Sequence, residues 1–141
     1  MNYFLQKFLL AWLPGFKPAV DNRLLGTWRS DAVATLADMD SHPEISEKTR
    51  QVFRNDIFGN RTVTYTPTEY FSEFKTLKQR VPYIVKKSTI EYIDIEYFDA
   101  LAKSKMIQRI FFDGDRTYCL VSKYNFKEYY QRSFVAVRHN D

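Results

Sequence analysis

Three features of this 141-residue chain predict a mainly β fold, an antiparallel up-and-down barrel of about eight strands. The apolar spacing changes once, from a helical repeat over residues 31–58 to short runs alternating every second residue after Gly59. Those later runs are separated by turn chemistry, as in Thr66-Pro67-Thr68 and Asp113-Gly114-Asp115. The aromatic load is high, with 12 Phe, 10 Tyr and 2 Trp, which suits sheets with a greasy wall and polar handles. The length fits one domain, which at this size buries roughly 68–70% of the unfolded chain's surface.

The chain begins with an apolar stretch, Tyr3 to Leu13, unbroken from Phe8 and stopped by Pro14-Gly15. As a helix it would rise about 16 Å, short of a hydrocarbon core of about 30 Å. Lys7 falls after the apolar run has begun and no small-x-small cleavage site follows, so an export signal is weakly specified. Residues 1–20 are therefore expected as a short helix docked on a barrel domain spanning 21–141. An atypical targeting or membrane-surface segment is the alternative for this stretch. The cytoplasm is the favoured location and export stays open.

A first strand is expected at Leu24–Arg29. A helix–turn–helix follows. Asp31–Met39 places Val33, Leu36 and Ala37 on one face, with Ser30 as cap and Asp31 in the first turn, at the positive end of the dipole. Ser41-His42-Pro43-Glu44 reads as a capping box opening a second helix through Ile45, Thr49, Val52 and Phe53, with Gly59 as its stop. Strands are then expected near Arg61–Thr66, Glu69–Lys75, Arg80–Ser88, Thr89–Phe98, Lys105–Phe112, Arg116–Ser122 and Tyr130–Arg138. Asn125-Phe126-Lys127-Glu128 would cap one helical turn before the last strand. Alternation sets Tyr70, Ser72 and Phe74 against Glu69, Phe71, Glu73 and Lys75.

Composition narrows the function. Hydrophobic residues at 45% and charged residues at 27% exclude a disordered or collagen-like chain. The single cysteine, Cys119, excludes an intrachain disulfide framework and a Cys-rich zinc site, and it reads as a buried, inert thiol. His42 and His139 lie far apart, so no His-based metal cluster is expected. The net charge of +4 is mild. Its densest run, Lys75, Lys78, Arg80, Lys86 and Lys87 around Tyr83, reads as a solvated strand pair rather than a phosphate-tracking stripe, because Glu69, Glu73, Glu91 and Glu96 lie close by. No specific nucleic-acid partner is expected. Phosphate loops, metalloprotease helices, nucleophile elbows and Cys-x-x-Cys pairs are all missing from the sequence. Asp94, Glu96 and Asp99 read as a solvated strand face rather than a general acid–base pair. No catalytic residue, metal or cofactor is assigned.

Leu25-Gly26-Thr27-Trp28 resembles the Gly-x-Trp signature of the calycin superfamily, the lipocalins and fatty-acid-binding proteins. Helices directly after the first strand look more like the fatty-acid-binding proteins, whereas the strand count looks more like the lipocalins. The stretch from Leu24 to Arg138 also resembles small bacterial lipocalin-like proteins of undefined function, which share Gly-Thr-Trp, helices, Phe-Gly and a Tyr-Thr-Pro strand. The resemblance implies that Gly26 and Trp28 close one end of the barrel beneath an Arg from the final strand. Arg132 in Tyr129-Tyr130-Gln131-Arg132 is the first candidate and Arg138 the second.

The function expected from barrel, aromatics and missing catalytic motifs is non-covalent binding of a small apolar or amphipathic molecule. Candidate wall residues are Tyr65, Tyr70, Phe74, Tyr83, Tyr92, Phe111 and Tyr118. Tyr130 and Arg132, two apart on one strand face, are candidates for a ligand carboxylate. Two alternatives remain: a filled barrel acting as an interaction or membrane-surface module, the latter through residues 3–13, and a pocket enzyme with the cone fold of ketosteroid isomerase. That cone places its helices before its first strand, unlike the order here.

Overall fold

The structure, a computed structural model, describes residues 21–133. The expected N-terminal helix, the membrane-contact stretch 3–13 and Arg138 lie outside the described residues. Eight antiparallel strands follow one another in space as they do in sequence: β1 (Gly26–Ser30), β2 (Arg61–Tyr65), β3 (Glu69–Phe74), β4 (Leu77–Ser88), β5 (Tyr92–Asp99), β6 (Ser104–Asp113), β7 (Arg116–Leu120) and β8 (Lys127–Arg132). β8 returns to β1, with Trp28 opposite Arg132 and Ser30 opposite Tyr130, and the barrel is closed. Two helices, α1 (Ala32–Asp40) and α2 (Glu47–Arg54), occupy the connection from β1 to β2.

The register carries one face of each strand inward. Trp28 faces Val63, Val63 faces Ser72, and Tyr65 faces Tyr70. Tyr70 faces Val81, Tyr83 faces Tyr97, and Ile93 faces Ile110. These side chains, with Leu24, Ile95 and Tyr130, make the barrel core. A bulge between Val85 and Lys87 breaks the register of β4 with β5 and sets which residues of β5 point inward.

A second core lies under the helices. Met39, Ile45, Phe58 and Phe126 are buried together, and Phe53 stacks on Phe58 at 5.6 Å and meets Phe126 edge-on at 5.3 Å. α1 packs on β8, where the Thr35 hydroxyl accepts from the Tyr129 N–H at 2.9 Å and the Asp38 carboxylate from the Lys127 N–H at 2.7 Å. Side chains of α1 thus satisfy backbone donors that the β8 ladder leaves open.

Several local expectations need correction. Ser30 does not cap α1. It ends β1, and Asp31 is the cap, its carboxylate accepting from Ala34 N–H at 3.0 Å. The second helix starts at Glu47, not Ser41. Ser41 closes α1 with its N–H on Asp38 O, and Ser46 caps α2 by accepting from Thr49 N–H. This later start leaves Ile45 in the turn, free to plug the second core. Gly59 is not a helix stop, because α2 ends at Arg54. Gly59 enters β2 at φ +92°, where an added Cβ would sit 3.1 Å from Ala32 Cβ. Thr89-Ile90-Glu91 form the unmarked turn before β5, with Thr89 Oγ1 accepting from the N–H groups of Glu91 and Tyr92. Asn125 has φ +59° and opens no helix. The last strand begins at Lys127.

Candidate functional site

The two ends of the barrel are built differently. At one end Trp28 is 3% exposed and its Nε1–H donates to Leu24 O at 2.9 Å. The Arg132 guanidinium lies 4.3 Å from the indole centre, donating through Nη1 to Leu25 O at 2.6 Å and through Nη2 to Arg23 O at 2.9 Å. Gly26 makes this possible. It sits at φ +118°, and a Cβ there would come within 2.8 Å of Arg132 Nη1. Beside them Arg23 covers the Phe112 ring at 4.3 Å and holds Asp21 at 2.7 Å. The Arg23 hydrogen bond, helped by Ser88, overcomes partial burial and holds the Asp21 carboxyl at about 2. A broad depression of about 960 Å³ opens here between Trp28, Phe112 and Arg116.

The other end, next to the helices, holds a cavity of about 230 Å³. Tyr70, Ser72 and Phe74 of β3 wall it on one side, Leu77 and Gln79 of β4 and Tyr97 and Asp99 of β5 on the other, with the exposed Leu101 and Arg61 of β2 completing it. Beneath it the lumen is filled. Tyr65 meets Tyr70 and Tyr83 at 5.5 and 5.9 Å, and Tyr70 stacks on Tyr97 at 5.0 Å. A void of only about 10 Å³ remains among Tyr65, Gln108, Cys119, Tyr130 and their neighbours, room for about one water. Arg61 and Tyr70 line both spaces.

The polar groups of the cavity and of the void beneath it are incompletely matched. Gln79 Nε2 and Gln108 Oε1 are buried with no hydrogen-bond partner among the described residues. Gln108 spends its other end on Cys119, Nε2 donating to Sγ at 3.2 Å. Burial pushes the Cys119 thiol up to about 12. Burial also raises Glu128, against the opposing pull of Arg61, Tyr130 and Ser30, whose hydroxyl donates to Oε2 at 3.1 Å. Burial works against the charge on Arg61, but the Tyr130 hydroxyl and the Glu128 carboxyl outweigh it and raise its pKa. Tyr65, Tyr130 and Tyr97 are all raised by burial and stay neutral.

Of the residues proposed from the sequence, Tyr65, Tyr70, Phe74, Tyr83, Tyr130 and Arg132 are on the inward face. Tyr70 and Phe74 meet at the cavity, whereas Tyr83 is buried with its hydroxyl donating to Thr66 O at 2.6 Å. Arg132 is committed to Trp28 at the far end. Tyr92, Phe111 and Tyr118 do not line the lumen. They stand on the outer face as one rung across β5, β6 and β7, at 5.9 and 4.8 Å, continuing to Tyr129 of β8 at 5.5 Å. Arg109 and Arg116 close the rung over Tyr92 and Tyr129, each at 3.9 Å. The bulge and the Thr89–Glu91 turn set this parity, and Ile93, Ile95 and Tyr97 take the inward places. The acidic strand face is also not solvated as expected. Glu96 is 0% exposed, clamped by Lys105 at 3.1 Å and Lys86 at 3.3 Å, which hold it ionised despite burial, and Asp94 is paired to Arg109.

Sequence reasoning missed Arg61, Gln79, Tyr97, Gln108 and Glu128. The signal for Arg61 was present, because it precedes Val63 and Tyr65 by two and four residues and so shares their face. Among the described residues no group of three His, Cys, Asp or Glu is placed to hold a metal ion. Compared with protein-family models, curated proteins and solved structures, the chain matches none of them.

Proposed function

We propose that this protein is a calycin-like barrel that binds one small amphipathic molecule without turning it over, at the helix-side mouth rather than through the length of the lumen. The observation that carries the reading is the pairing of a 230 Å³ cavity with a lining residue, Gln79, whose buried Nε2 lacks a partner among the described residues. An unmet buried polar atom costs about 1–3 kcal/mol, so a protein keeps one where a ligand or water meets it. The volume lies below the roughly 300–1,000 Å³ of pockets for drug-sized ligands, so the ligand is fragment-sized. Phe74, Leu77 and Leu101 supply apolar contact at the lip, and Arg61, Gln79 and Asp99 supply polar contact.

Native mass spectrometry of the protein from its source, followed by organic extraction, tests this reading. The expected result is a single small adduct that is lost in Ser72→Trp, which fills the mouth. An apo mass, together with no adduct from a panel of short-chain alcohols, acids and aryl compounds, contradicts it. The filled lumen favours a second reading, a partner-binding scaffold. That reading gains if the panel fails and the full chain migrates in a complex with another protein on size exclusion.

A further inference from the structure

We infer that Gln79 selects the mouth ligand, a small apolar body ending in an oxygen group that accepts hydrogen bonds and donates none. A ketone, an ester or a sulfonate has this chemistry, and the oxygen end enters the cavity first. This rests on the mouth-binding reading and assigns its ligand class.

Strand register layers the wall of the cavity. β3 and β4 pair Phe74 with Leu77, Ser72 with Gln79 and Tyr70 with Val81, from the hairpin turn inward. Successive pairs on this face lie about 7 Å apart along the strands. The outermost pair is apolar, and Leu77, like Leu101 of the next hairpin, is exposed. The innermost is buried, with Tyr70 stacked on Tyr97 at 5.0 Å. Of the three pairs only the middle one, Ser72 and Gln79, has no apolar ring or chain on either side.

Gln79 holds the donor of that middle layer. Its Nε2 is buried, and nothing among the described residues accepts from it. An amide nitrogen donates and does not accept, so the group that meets it is an acceptor. The wall itself offers few. Lys78 and Arg61 only donate. Asp99 is the one acid of the lining, and its Oδ1 is spent on the N–H groups of Leu101 and Ala102 at 2.9 and 3.1 Å, within its own turn. A ligand oxygen that reaches the middle layer meets Nε2 there, and Ser72, the cross-strand neighbour, adds a hydroxyl able to donate beside it. The apolar body then lies against Phe74 and Leu77. An apolar end inserted first would set carbon against Nε2 and leave that bond unmade, so the polar group leads.

Acetophenone and α-methylstyrene test this, because they share one shape and differ by a carbonyl oxygen in place of a methylene. Each is titrated into the ¹⁵N-labelled full chain. Both should give saturable amide shifts at Tyr70, Gln79 and Leu101, with acetophenone binding at least about fivefold more tightly. The Gln79 side-chain NH2 correlation should move further downfield with acetophenone than with α-methylstyrene. Gln79→Leu should erase the preference without lowering the melting temperature. Gln79→Glu, which keeps the side-chain size but has no N–H to donate at neutral pH, should erase it as well. Equal affinities, tighter binding of α-methylstyrene, or a preference that survives in both variants overturns the inference and leaves mouth binding standing. If neither probe nor any member of the earlier panel binds, mouth binding itself falls and the inference with it.

Discussion

The Trp28 end and the helix-side mouth of this barrel are made from the same kinds of residue and reach opposite outcomes. Each has an arginine and a large aromatic on inward-facing strand positions, with an acid close by. At the Trp28 end each side chain of the set bonds within the protein: Trp28 to Leu24 O, Arg132 to Leu25 O and Arg23 O, Arg23 to Asp21. At the mouth Arg61 serves two spaces at once, and Gln79 keeps a buried donor with no partner among the described residues. Satisfied polar groups hold a structure together. Unsatisfied ones beside an opening mark where something else binds.

Substitutions should separate the two ends by sign. The largest effect is expected for Trp28→Ala, which removes a nearly buried indole and leaves Arg132 without its platform; thermal or urea unfolding should show a loss of about 3–5 kcal/mol. Melting at the parental temperature would mean the Trp28 end does not close the barrel. Gly26→Ala is next, at about 1–3 kcal/mol, because the new Cβ meets both a strained φ and the Arg132 guanidinium. Asp21→Asn sharpens the comparison through pH. The Asp21 carboxyl is lowered to about 2, so its contribution is present above the unfolded value near 3.9 and is lost as pH falls toward 2. The variant should lose about 1–2 kcal/mol at pH 6 and match the parent near pH 2 in acid-unfolding curves. The smallest effect, with the opposite sign, belongs to the mouth. Gln79→Leu should be neutral or stabilising by up to about 1 kcal/mol, since it removes a donor that bonds nothing. A destabilisation as large as that of Gly26→Ala would show that Gln79 is satisfied after all.

How far each end could be read from the sequence follows the same division. Gly26-Thr27-Trp28 is contiguous, and its partner Arg132 lies two residues from a Tyr on a plain strand, so the Trp28 end was legible. So was the order of strand, helix pair and strand meander, because one change of period marks it. The mouth was not, because its residues come from four strands and depend on face parity. The bulge at Val85/Lys87 and the Thr89–Glu91 turn carry no clear mark in the sequence, yet they turn Tyr92 outward and Tyr97 inward. Glu128 was hidden in Asn125-Phe126-Lys127-Glu128, which reads as a helical cap until Asn125 is seen at φ +59°.

The most direct test of the division is an amide ¹H–¹⁵N titration of the full chain with 1-octanesulfonate. Binding at the mouth predicts saturable shifts at Arg61, Tyr70, Gln79, Tyr97 and Leu101, with Trp28, Phe112 and Arg116 unmoved. Saturable shifts centred on Trp28, Phe112 and Arg116 instead would contradict it and place the binding end of the barrel where all the named donors are already paired.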